Sequence, residues 1–162
     1  MNSHKPGAIA LGWWSREIAS RDRPAAKGLA ARLRRAAPMA VLCEPAVIQL
    51  AHALGMAPSR AADLVRLVTL LAEVRETAGE TLATRLGGAD PVLSSLRFQR
   101  LMRAEGQDLT DQLRRAIIMA DRCCNVAAFA QDLLHWDTAR PSWCFHYFGA
   151  EAPTKPIEEK TV

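Results

Sequence analysis

Leu96–Phe148 reads LRFQRLMRAEGQDLTDQLRRAIIMADRCCNVAAFAQDLLHWDTARPSWCFHYF, and this stretch decides the fold. Its apolar residues recur at intervals of three and four, the spacing of one helix face. Leu and Ala dominate and β-branched residues are sparse, which favours helix over strand. At about 100° per residue, Leu93, Phe98, Leu101 and Met102 span one side of a helix over 91–104. Arg100 and Arg103 lie together on the other side, with Arg97 at its margin. In the next helix, over 108–122, Leu113, Ala116, Ile117 and Ala120 make the apolar stripe, and Arg114 and Arg115 project away from it. Asp108 and Asn125 are N-cap residue types. They predict helix starts at 108 and 125, the second running to about Trp136, followed by a shorter helix over 138–148.

The same pattern extends upstream. Residues 8–19 read as a first helix carrying Trp13 and Trp14. Pro24, Pro45 and Pro58 each suit an early helical position, where the missing N–H is not needed. The clearest case is 58–77, with Leu64, Leu67, Val68 and Leu71 on one face and Asp63, Arg66, Glu73 and Glu76 elsewhere. A short helix over 80–86 stops at Gly87-Gly88. The expected fold is all-α, a compact bundle of about eight helices over residues 1–149. Gly87–Pro91 is the best internal boundary, dividing it into lobes at 8–87 and 91–149 if there are two. Residues 150–162 carry Pro, Glu, Lys and Thr without apolar periodicity and read as a mobile tail.

The 162 residues suffice for a buried core, and 49% hydrophobic with 23% charged residues is the balance of an ordinary globular domain. The net charge of +4 is modest, but its distribution is not even. Arg16, Arg21, Arg23, Lys27, Arg32, Arg34 and Arg35 face only Glu17 and Asp22 between Trp13 and Ala37. Of the 21 basic residues 17 are Arg, the side chain that holds phosphate through a planar fork. Alanine-rich, GC-rich coding explains that ratio equally well, so position carries more weight than number.

No catalytic constellation stands out. Cys43, Cys123, Cys124 and Cys144 form no CxxC pair, and adjacent cysteines suit neither a disulfide nor a zinc site. Buried, reduced thiols are expected. His135 and Asp137 diverge at a helix end, and there is no Gly-x-Ser-x-Gly elbow or Gly-rich phosphate loop. No cofactor, metal or enzymatic activity is expected. The start MNSHKPGAIALGWW lacks the charged-then-apolar order of a secretory signal, and no apolar run has the length of a membrane span. A cytoplasmic protein without membrane contact is expected. Trp13, Trp14, Trp136 and Trp143 are better placed for a core than for base stacking, although the adjacent Trp13 and Trp14 should not both face one core.

What remains is the arginines. Arg97, Arg100, Arg103, Arg114 and Arg115 outnumber the nearby acids Glu105, Asp108 and Asp111, each of which is a candidate partner for one of them. Arg34 and Arg35, with Arg32, make a similar cluster where favourable charge at a helix C-terminus is the simpler explanation. Two such clusters form one track if the segments that carry them pack side by side. A basic helical surface of this kind fits nucleic-acid backbone, or alternatively an acidic protein partner of a helical scaffold.

The order of GWWSRE (12–17), LAARLRRA (29–36), LRFQRLMRAEG (96–106), DLTDQLRRAI (108–117) and DLLHWDTARPSWCFHYF (132–148) resembles the CasB family. That family is the small subunit of the type I-E CRISPR surveillance complex, Cascade. The resemblance covers about 8–148 and is weakest at 55–88 and in the tail. It implies an all-helical, non-catalytic subunit of an antiviral assembly, present as a pair and packed along the backbone and large subunits. It implies contacts with guide RNA and target DNA, including the displaced strand. The positions it points to are Arg34, Arg35, Arg97, Arg100, Arg103, Arg114 and Arg115, with Arg60 a weaker one.

Overall fold

A computed structural model describes residues 5–149. Ten helices account for most of them: α1 (Pro6–Glu17), α2 (Pro24–Arg35), α3 (Pro38–Leu42), α4 (Pro45–Leu54), α5 (Ala61–Leu71), α6 (Leu82–Leu86), α7 (Ser95–Arg103), α8 (Gly106–Met119), α9 (Val126–Leu134) and α10 (Trp136–Tyr147). The fold is all-α, as the 3–4 spacing predicts. Proline opens α1, α2, α3 and α4. Thr81, Ser94 and Asn125 cap α6, α7 and α9 with side-chain oxygens that accept from Thr84, Arg97 and Ala128 N–H groups.

Two helices hold the bundle together. α9 packs against α1, α5 and α10, so the C-terminal half closes directly on the first helix. α5 packs against α2, α3, α4, α8 and α9, and Leu67, Val68, Leu70 and Leu71 are all fully buried. The α1–α9 contact is close enough that a Cβ on Gly7 would overlap the Ala127 carbonyl. Gly7 N–H donates to Gln131 Oε1 at 3.1 Å across the same seam.

Trp13 and Trp14 are both buried, at 2% and 3% exposure, against the expectation that one lies at an edge. Neighbouring helical residues point about 100° apart, and α1 is covered on both of those sides. Trp13 Nε1 donates to the Ala46 carbonyl on α4 at 2.9 Å. Trp14 Nε1 reaches the Leu71 and Val74 carbonyls at 3.1 and 3.3 Å.

Several boundaries differ from the sequence pattern. α5 stops at Leu71, not near Thr77, and the carbonyls just past its end are taken by other donors. Arg21 Nη2 donates to the Ala72 carbonyl at 2.8 Å, and Arg122 Nη1 to that of Glu73 at 3.4 Å. Arg75 and Glu76 N–H then turn to the Arg122 carbonyl, and a two-residue parallel pair follows, β1 (Glu76–Thr77) with β2 (Cys123–Cys124). Asp121 and Arg122 adopt left-handed φ of 58° and 56° to make that turn. Pro91 precedes α7 by several residues, α8 begins at Gly106 with Asp108 in its first turn, and α10 runs through Pro141. Of the cysteines, Cys124 is buried but Cys43 is exposed, which departs from the expected set of buried thiols. Burial pushes the Cys124 thiol up to about 12, so it is a packing group and not a nucleophile at neutral pH.

Gly7→Ala forces α1 away from α9 and is expected to destabilise the protein by about 2 kcal/mol, read as a lower denaturant midpoint with an unchanged slope. A second prediction concerns Asp132, whose carboxyl burial pushes up, while the Trp143 indole N–H at 2.8 Å and His146 oppose the shift. A folded pKa above the unfolded one means that stability falls as pH rises from the ordinary Asp value through the raised one. Asp132→Asn keeps an acceptor for Trp143. It is expected to raise Tm at neutral pH, with the gain vanishing below the ordinary Asp range; a pH-independent gain would contradict this.

Candidate nucleic-acid interface

α7 and α8 are joined by the short link Ala104–Glu105, and a groove of about 390 Å³ lies between them. Leu93, Leu101, Ala116 and Met119 form its apolar floor, and Arg97, Arg100, Arg115 and Gln112 line it. Phe98 and Leu101 are the buried residues of α7, Leu101 at the floor of the groove and Phe98 against α10. Stacking of Phe98 on Tyr147, with ring centroids 4.0 Å apart, and the Tyr147 hydroxyl donating to the Leu93 carbonyl anchor α7 against α10.

A second cleft of about 540 Å³ opens on the other side of α8, bounded by α2, α3 and α5. Arg34 and Arg35 from α2, Arg66 from α5 and Arg114 from α8 line it. Arg114 and Arg115 are adjacent in sequence, yet they line different depressions. The α2 cluster and the α8 pair therefore do meet, through Arg114, while the α7 arginines meet α8 through Arg115. Arg103 is exposed at the end of α7 and lines neither.

Partners separate the arginines further. Among the described residues, the side chains of Arg34, Arg35, Arg97, Arg100, Arg103 and Arg115 make no ion pair. Two of the acids near them in sequence are engaged elsewhere: Asp111 accepts from Gln107 at 3.0 Å and Asp108 from Gln112 at 2.9 Å. Arg60 differs, pairing with Asp63 at 3.2 Å and donating to the Leu134 carbonyl at the end of α9 at 2.8 Å. It lines a third cleft with Arg66, Arg140 and Trp136, away from the α7/α8 groove. Arg114 Nε lies 3.5 Å from Glu73 Oε1.

Many of the other arginines complete the bundle. Arg21, Arg60, Arg85, Arg122 and Arg140 each donate to a carbonyl at or just past a helix end. These carbonyls have no partner within their own helix, and the helix dipole favours a cation there. Glu73 is the counter-ion of this arrangement. Its side chain is 7% exposed and contacts both Arg114 and Arg122. Burial and the charges of Arg34 and Arg75 push the Arg21 guanidinium down, while Glu73 opposes the shift. Arg66 and Gln112 are lining residues that the sequence reading does not single out. Arg66 is visible on the polar side of α5, but only its hydrogen bond to Thr110 Oγ1 at 3.0 Å shows that it faces α8.

No helix among the described residues is long and apolar enough to cross a membrane, and no group of three or more His, Cys, Asp or Glu side chains among them could hold a metal ion. The fold and its surface thus define a helical protein with arginine-lined depressions on both sides of one helix. The family CRISPR-associated protein Cse2 matches residues 29–148, most of the chain, and the chain belongs to that family, the CasB subunit of type I-E Cascade. It is a Cascade component of CRISPR antiviral defence, from a family of structural subunits. The match takes in the stretch 55–88, where the motifs are weakest, and leaves GWWSRE outside. No curated protein and no solved structure matched the chain.

Glu73→Gln removes the carboxylate between two partly buried guanidinium groups. The expected loss is about 2–3 kcal/mol, because it leaves charge unpaired rather than merely deleting a contact. Denaturant unfolding measures it, and a loss below that of an exposed pair such as Arg32–Glu44 would show that Glu73 is not the counter-ion.

Proposed function

We propose that this chain is a non-catalytic clamp that holds nucleic-acid backbone within Cascade. Six arginines with no carboxylate partner among the described residues flank α8 and its neighbours, and this observation carries the reading. Guanidinium groups on rigid helices present forked donors to phosphate without reading bases. The α7/α8 groove, with Arg97, Arg100 and Arg115, is the primary contact, and Arg34, Arg35 and Arg103 extend it. On this reading Arg60 is a structural cap and not a contact.

Exchanging a DNA duplex for a guide–target duplex is nearly balanced in free energy, so modest backbone contacts are enough to shift it. The clamp therefore stabilises the opened target, the displaced strand included, beside the guide RNA. Two copies packed along the backbone and large subunits, in the cytoplasm, would present a longer track than one. Neighbouring subunits also raise the effective concentration of strand at each groove.

The test is the triple variant Arg97→Gln, Arg100→Gln, Arg115→Gln, all at exposed positions. Binding of a single-stranded DNA oligonucleotide is measured over a range of salt, with the free chain and with the assembled complex. Losing three phosphate contacts is expected to lower the slope of log affinity against log salt by about 2, at about 0.7 per contact. Unchanged affinity and slope in both settings would overturn the reading and favour an acidic protein as the partner of this surface.

A further inference from the structure

The cluster around Glu73 is not absorbed by the clamp reading, and its charge does not balance. Arg114 and Arg122 contact the carboxylate directly. Arg21 lies within electrostatic reach of Glu73, Arg34, Arg75 and Arg122. Three guanidinium groups, those of Arg21, Arg114 and Arg122, thus lie near one carboxylate, and Arg34 and Arg75 add charge on the Arg21 side. Among the described residues Arg21, Arg34 and Arg75 have no ion pair of their own.

The donors are also incompletely used. Arg21 Nε, Arg34 Nε and Arg114 Nε are closed to water and make no hydrogen bond among the described residues. Arg114 Nε is near Glu73 Oε1, at 3.5 Å, but does not hydrogen-bond to it. A buried donor without an acceptor is unfavourable by itself, and beside like charges it is more so. Arg34 and Arg114 belong to different helices, α2 and α8, and both line the 540 Å³ cleft.

We propose that this cleft is an oxyanion site of the phosphate class, in which Arg34 and Arg114 are the ligands and Glu73, with Arg21 and Arg122, positions them. A tetrahedral oxyanion offers several acceptors to planar forks arriving from two helices. It supplies the negative charge that the cluster lacks, whereas a chloride ion offers that charge to fewer donors. Arg122 is held by the left-handed turn at Asp121–Arg122 and Arg21 by carbonyls past the end of α5, so neither needs to move. Occupancy ties α2 to α8. Arg34 belongs to both readings, but the primary contacts of the clamp, Arg97, Arg100 and Arg115, line the other groove, so the α7/α8 triple variant separates the two.

The full chain is titrated with inorganic phosphate and with pyrophosphate by calorimetry and thermal melting, against chloride at matched ionic strength. Saturable binding and a raised Tm are expected for the wild type and for the α7/α8 triple variant. Arg34→Gln is expected to weaken the affinity about tenfold; its helical circular dichroism reports folding, and Arg34→Lys, which keeps the charge without the fork, replaces it if that signal is lost. No saturable binding by the wild type, or full binding by the folded position-34 variant, overturns the site. Adding single-stranded DNA identifies the source of the anion. Displacement of phosphate assigns the site to a nucleic-acid phosphate, and phosphate retained under saturating DNA assigns it to the free ion; either result upholds the site.

Discussion

The last turn of α5 ends where Trp14, Arg21 and Arg122 take its carbonyls, and Glu73 at that end holds Arg114 and Arg122. Four parts of the chain converge there: α1, the α1–α2 link, α8 and the turn after it. A helix end leaves carbonyls without partners, and in a core they must be met by other donors. Meeting them with guanidinium groups fixes the helix length, starts the β1–β2 pair and sets α8 against α5. The position of α8 in turn decides what lies on either side of it.

Arginine serves two purposes here, and the distinction is energetic. Where a guanidinium reaches a carbonyl at a helix end, its charge offsets the dipole and its fork satisfies a buried acceptor. Arg60, Arg85 and Arg140 are of this kind. Where no such acceptor is in reach, the side chain stays on the surface with its charge unspent, as at Arg97, Arg100 and Arg115. The excess of Arg over Lys therefore reflects packing as much as recognition, since Arg21, Arg60, Arg85, Arg122 and Arg140 all reach carbonyls at or just past helix ends.

Membership in the Cse2 family and the partition of arginines support each other. A structural subunit of a large assembly needs a stiff frame and surfaces that act through charge and shape. α8 supplies the frame for two such surfaces with adjacent residues, Arg114 and Arg115, and the two differ in their surroundings: one is tethered to a buried carboxylate and the other has no carboxylate partner among the described residues.

The sequence by itself determined the helical class, the caps at Asn125 and Gly87, and the apolar faces of α5, α7 and α8. These follow from periodicity and from the local hydrogen-bonding habits of single residues, which act within one helical turn. Tertiary structure alone decided that Trp13 and Trp14 are both buried, that α5 ends at Leu71, and that Arg60 is engaged while Arg115 lines a groove with Arg97 and Arg100. It also decided that Arg34 and Arg114 share a cleft. In each of these cases the deciding partner lies far along the chain, such as the Ala46 carbonyl for Trp13 or the Leu134 carbonyl for Arg60. Periodicity gives the direction in which a side chain leaves its own helix, and only the packing of the helices determines what it meets.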